Sequence, residues 1–177
     1  GNGKLNVYNI KMLEGELVFG QYSEAAGLLA FESINEASTA LKEGKVDALV
    51  TSPINKKTIQ SEDFSFPGHT SYFADFLNGE SLMFMISDEL KVALVTDHIP
   101  VKEISNQITS ELLKKKIHQL EYSLKFDFDI NRPRIAVLGL NPHTGDKGVI
   151  GYEEDKIFIP GIKELSENCL LVLGPYA

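Results

Sequence analysis

T-S-E-L-L-K-K-K-I-H-Q-L-E-Y-S-L-K (109–125) followed by R-I-A-V-L-G-L (134–140) sets two hydrophobic periods side by side. In the first, Leu112, Leu113, Ile117, Leu120 and Leu124 recur at helical spacing, while Lys114, Lys115 and Lys116 turn mostly to solvent. The second is a near-continuous apolar run of strand length. A strand that is apolar on both faces expects cover on both, and a helix leading into it is how α/β chains supply that cover.

The same alternation extends outward. Ser23 is a candidate N-cap for a helix from Glu24 to about Glu43, closed by Gly44. Asp47–Thr51 reads as a short buried strand stopped by Pro53, and Thr70 as a cap for a helix over Ser71–Leu77. Leu82–Ile86 and Lys91–Thr96 read as strands joined by a turn at Asp88-Glu89-Leu90, too short for anything but antiparallel pairing. A helix over Glu153–Asn168 should be interrupted at Pro160, and Leu170–Leu173 reads as a last strand before a loop at Gly174–Ala177. The expected architecture is α/β, layered α/β/α, with a mixed, largely parallel sheet. In such sheets ligands sit beyond the carboxyl ends of the parallel strands, which directs attention to the loops after Thr51, Thr96 and Leu140.

The 177 residues suffice for an ordinary domain with a core, and the formal net charge of −8 argues against nucleic acid or an anionic membrane as a general partner. No apolar run reaches the roughly 20 residues needed to span a bilayer. Cys169 is the only cysteine, which fits a reducing, cytoplasmic setting and excludes an internal disulfide. The opening Gly1-Asn2-Gly3 and the closing strand and loop lead to the expectation of a piece of a longer chain.

Three histidines lie in loops. His98 (T-D-H-I-P, 96–100) and His143 (N-P-H-T-G, 141–145) each follow a strand, and two converging imidazoles would suit zinc, cobalt or another borderline divalent ion. The competing reading makes each a loop histidine bonded to a backbone group. His69 and Thr70 stand where a helix begins, with free N–H groups that favour an anion, unless Thr70 serves only as the cap. In T-S-P-I-N-K-K (51–57), Lys56 or Lys57 either meets a phosphate or carboxylate as a point charge or is simply solvated. Gly145–Gly151 is neither G-x-G-x-x-G nor a Walker loop, so its glycines are expected to make a turn, and spacing gives no nicotinamide site. Asp75, Asp97, Glu153 and Glu154 are either ligand or supporting carboxylates or, more simply, surface groups, and His118 belongs to a helix surface.

T-S-P-I-N-K (51–56), F-P-G-H-T (66–70), V-A-L-V-T-D-H-I-P (92–100), L-N-P-H-T-G (140–145), G-Y-E-E (151–154) and L-G-P (173–175) resemble, in order and spacing, the 4-hydroxythreonine-4-phosphate dehydrogenase (PdxA) family of vitamin B6 biosynthesis. The resemblance covers nearly the whole chain. It implies an isocitrate/isopropylmalate-dehydrogenase-like fold, a homodimer with shared active sites, NAD as oxidant and a divalent metal (Zn, Co or Mg). The implied reaction oxidises 4-hydroxythreonine 4-phosphate to a β-keto acid that decarboxylates to 3-amino-2-oxopropyl phosphate. By the same resemblance His69 and Thr70 bind the small phosphorylated substrate, and His98 and His143 are two of three metal-binding histidines. The third ligand belongs to a downstream Y-H-D-Q-G segment, so these residues would be the central part of a longer dehydrogenase, inactive alone. Ser71 stands where the family usually has glutamate, and Asn55 where some members have histidine. A relative acting on a phosphorylated sugar acid such as threonate or erythronate 4-phosphate, or a non-catalytic domain of the same fold, are the alternative readings.

Overall fold

The computed structural model describes residues 3–10 and 18–177; Gly1-Asn2, part of the expected chain opening, lies outside the described residues. The chain divides into two compact units, Gly1–Ser81 and Leu82–Ala177.

The first unit is built on helix α1 (Glu24–Lys42). As expected, Ser23 caps it, its side chain accepting the Ala26 N–H at 3.2 Å. At the other end Gly44 takes φ +70°, and Gly44 and Lys45 donate their N–H groups to Leu41 and Ala40, which satisfies the carbonyls a helix end leaves open. Helix α2 (His69–Phe76) begins earlier than the sequence predicts. Its N-cap is Gly68 with no side-chain bond, so Thr70 lies inside the first turn and is not the cap. Between the helices Phe64, Ile59, Tyr72 and Ile34 form a core, with Phe31, Phe66, Phe73 and Phe76 packed against it. Edge-on and stacked ring contacts, such as Phe64–Tyr72 at 5.3 Å, fasten α2 to α1 and to the intervening loop. Asp47–Thr51 does not pair as a strand: Val50 is fully exposed, and a strand requires a hydrogen-bonding neighbour that no described segment supplies.

In the second unit β1 (Phe84–Ile86) and β2 (Lys91–Ala93) pair antiparallel, as the short turn requires, but β2 stops before Thr96. A 3-10 turn (Val101–Glu103) and helix α3 (Ile104–Gln107) lead to α4 (Ser110–Phe126), whose cap Thr109 accepts the Leu112 N–H at 3.1 Å. Strand β3 (Arg134–Leu138) follows, and β4 (Leu171–Tyr176) pairs with it in parallel. The ladder thus runs past Leu173 into residues expected to be a loop. Leu113, Ile117 and Leu124 of α4, Ile135 and Val137 of β3, Val172 of β4, and Ile162 and Leu165 of α5 (Ile159–Glu167) make one core. Each such fully buried aliphatic side chain contributes about 1.5–3 kcal/mol.

Pro160 does not break the last helix. Residues Glu154–Phe158 form a π-helical turn that runs straight into α5, with the Ile159 N–H bonded to the Glu154 carbonyl. The wider register and the first-turn position absorb a residue that has no N–H to give.

The α/β class stands, and the pairings are mixed. Among the described residues, however, the strands form two separate two-stranded ladders. Burial along β3 alternates strictly, Ile135 and Val137 facing the helices while Leu138, Leu171 and Leu173 stay exposed. Helices therefore cover one face of β3–β4 where the apolar run led us to expect two.

Candidate functional site

His98 lies five residues beyond Ala93, the end of β2, and His143 five beyond Leu138, the end of β3. Both residues are exposed and both take φ +53°. Neither imidazole has a hydrogen bond or ion pair to any described group, so the competing reading of backbone-bonded loop histidines finds no bond to rest on. His118, as expected, is a surface residue of α4, 3.9 Å from Glu121.

The loop that carries His143 is unusual. From His143 to Lys147 the backbone is left-handed throughout, with φ between +45° and +80°. Four of these five residues are not glycine, and each such residue costs about 1–2 kcal/mol. Gly145, at the centre, is buried, and a Cβ there would meet the Gly151 carbonyl oxygen at 2.5 Å and Glu154 Oε2 at 3.0 Å. The glycine loop is thus a turn, as its spacing suggests, wrapped around a carboxylate.

That carboxylate belongs to Glu154, which is 1% exposed and so is not the surface group anticipated for it. Its Oε1 accepts the N–H groups of Leu140 and Asn141, each at 2.7 Å, and its Oε2 accepts Asn141 Nδ2 at 2.9 Å. Hydrogen bonds to a charged group are worth about 1.5–3 kcal/mol each, enough together to offset the left-handed backbone. Burial pushes the Glu154 pKa up, but the bonds from the Asn141 side chain and the Asn141 and Leu140 amides outweigh it, leaving the carboxyl below its ordinary range.

Glu153 adds a second carboxylate. Its Oε2 accepts the same Asn141 amide group at 2.8 Å, and its Oε1 accepts the Ser105 hydroxyl in a short bond. The Ser105 bond first, and the Asn141 bond second, hold its pKa below the usual value. Ser105 lies in α3, seven residues after His98. Asn141 and Ser105 escape a reading of the sequence for ionisable or nucleophilic groups; the adjacent acids in G-Y-E-E are the signal that points to them.

In the first unit, Asn55 Oδ1 accepts the N–H groups of Lys57 and Thr58, which turns the chain after Thr51–Ile54. Gln60 Nε2 then donates to the carbonyls of Lys56 and Phe66, tying that turn to the approach of α2. As a result Lys56 Cε lies 3.9 Å from where a Gly68 Cβ would be, beside the uncapped start of α2. His69 stacks on Phe73 at 6.0 Å, and its Nε2 is buried with no hydrogen-bond partner. Lys56 therefore lies beside the start of α2, whose first residues are His69 and Thr70 and whose first-turn N–H groups are donors. Lys57 instead lies over the Tyr22 ring at 5.0 Å.

Among the described residues no three His, Cys, Asp or Glu side chains stand together as a metal site, and no helix is long and apolar enough to cross a membrane.

These are features of an α/β chain with two exposed loop imidazoles and a lysine beside a helix start, and comparison with known proteins gives that class a family. The family model described as "Pyridoxal phosphate biosynthetic protein PdxA" matches residues 2–177. A 4-hydroxythreonine-4-phosphate dehydrogenase of Bacteroides thetaiotaomicron is 48% identical over 100% of this chain and 49% of its own. One from a Sulfurihydrogenibium species is 38% identical over 97% of this chain and 54% of its own. The crystal structure of the protein so named from Klebsiella pneumoniae superposes with a TM-score of 0.80 at 32% identity, over 88% of this chain and 47% of that one. The chain belongs to the PdxA family. It spans about half the length of the relatives it matches.

Proposed function

We propose that the chain is the central part of a metal- and NAD-dependent dehydrogenase that oxidises 4-hydroxythreonine 4-phosphate, the β-keto acid so formed losing carbon dioxide to give 3-amino-2-oxopropyl phosphate. The family match along the whole chain supports the reaction. The observation that carries the chemistry is the pair of exposed imidazoles, His98 and His143, each held left-handed at the same distance past a strand and engaged by no described group.

Two nitrogen donors of this kind fit a borderline divalent ion, which takes neutral imidazole and keeps an open position for substrate. The ion requires a further ligand, which in this reading comes from the remainder of the longer protein. When bound, the metal supplies Lewis-acid polarisation of the substrate hydroxyl and NAD accepts the hydride. His98 and His143 contribute their ring nitrogens. Lys56, His69 and Thr70 hold the phosphate: Lys56 as a point charge, Thr70 through its hydroxyl, and His69 through its imidazole in the first turn of α2. The functional form is a homodimer with shared sites in the cytoplasm, a compartment with which the single, exposed Cys169 is compatible.

The test is NADH formation by the protein at its relatives' full length, with 4-hydroxythreonine 4-phosphate set against threonate and erythronate 4-phosphate. Ser71, in place of the family's usual glutamate, makes the comparison necessary. Preference for a sugar acid would move the substrate assignment, and no NADH with any of the three would remove the enzymatic reading.

A further inference from the structure

We infer that Asn141, Glu153 and Ser105 form a brace that presets His143 relative to the segment following His98, and so act as positioning residues for the metal. The inference rests on the assignment of those two histidines as ligands.

The brace is a continuous chain of hydrogen bonds. Ser105, in the helix that follows the His98 loop, donates to Glu153 Oε1. Glu153 Oε2 accepts Asn141 Nδ2 at 2.8 Å. Asn141 is two residues before His143 and is gripped a second time by Glu154, through both its amide side chain and its backbone N–H. The space is tight: a Cβ on Gly151 would lie 2.4 Å from Asn141 Nδ2 and 2.6 Å from Glu153 Oε2. An amide is the group that fits, because one NH2 serves two carboxylate oxygens at once and keeps the adjacent acids from facing each other without a donor between them. Five consecutive left-handed residues have many lower-energy alternatives, so without an anchor at Asn141 the direction of the His143 ring would not be fixed. Supporting residues of this kind tune metal affinity without touching the ion.

Cobalt(II) titration of the metal-stripped, full-length protein, followed by visible absorption, tests this. Glu153→Ala should weaken cobalt binding on the order of 10-fold and alter the absorption envelope. Ser105→Ala, on an exposed side chain, should do the same to a smaller degree. Glu153→Gln should restore most of the affinity, since its oxygen still accepts from Asn141 and its NH2 can meet the Ser105 hydroxyl. Parent affinity and spectrum in Glu153→Ala would overturn the brace. The reference is His143→Ala: if it loses cobalt while Glu153→Ala does not, only the brace fails. If His143→Ala binds cobalt as the parent does, the ligand assignment fails and takes the brace with it.

Discussion

Gly27 of α1 rests on the backbone of Thr58 so closely that a Cβ added to it would lie 1.9 Å from the Thr58 carbonyl oxygen. Alanine would favour the helix by about 1 kcal/mol. It would also displace the 58–59 backbone that α1 packs against, and overpacking costs about 1–3 kcal/mol or more. With the Cβ set against backbone the packing effect is the larger, so Gly27→Ala should lower stability by about 2 kcal/mol, the upper packing cost less the helical gain, in urea unfolding. A variant more stable than the parent would contradict the close approach.

The Glu154 carboxyl has its pKa lowered in the fold from an ordinary value of 4.5. A depressed acid binds its proton more readily in the unfolded chain, so its contribution is fully present above pH 4.5 and is lost as the pH falls below that, through the folded value. Glu154→Gln removes the charge and sets an NH2 against one of the donors the carboxylate now serves. It should cost about 1–3 kcal/mol at neutral pH and flatten the acid limb of the stability curve. Urea unfolding across the acid range checks both, and a Glu154→Gln curve parallel to the parent's would contradict them.

Much of this was legible before the fold. Ser23 announced its helix because a side-chain oxygen ahead of an apolar stripe has a local job, and α4 announced itself by its apolar stripe alone, the cap at Thr109 being a finding of the fold. The turn at Asp88–Leu90 forced its pairing because a short connection leaves no other choice. Asp47–Thr51 misled because apolar, β-prone residues state a preference for burial but not the presence of a neighbour. Thr70 misled because a hydroxyl one residue inside a helix looks the same in sequence as one that caps it. The left-handed His143 loop was invisible for a different reason. Only Gly145 among its five residues favours that backbone, and the carboxylate that sustains it arrives more than ten residues from the strand end it grips. Glu154 read as one more acid on a helix because satisfaction of its oxygens is a property of the fold.

Lys56 and His69 should act on binding more than on chemistry. Loss of a charged hydrogen bond to phosphate costs about 1.5–3 kcal/mol, or roughly 10- to 100-fold. On the proposed reading, Lys56→Ala and His69→Ala in the full-length protein should raise KM by that order with kcat little changed. Steady-state kinetics with the phosphorylated substrate decide it. An unaltered KM in both would remove the phosphate site from the start of α2.

Metal content measured on full-length His98→Ala and His143→Ala proteins, beside their NADH production, tests most directly the proposal that the two imidazoles share an ion. Each variant should bind the metal more weakly by about 100-fold or more, beyond the effect of losing a supporting residue, and lose turnover in proportion. Two variants that retain the parent's metal and the parent's rate would contradict it.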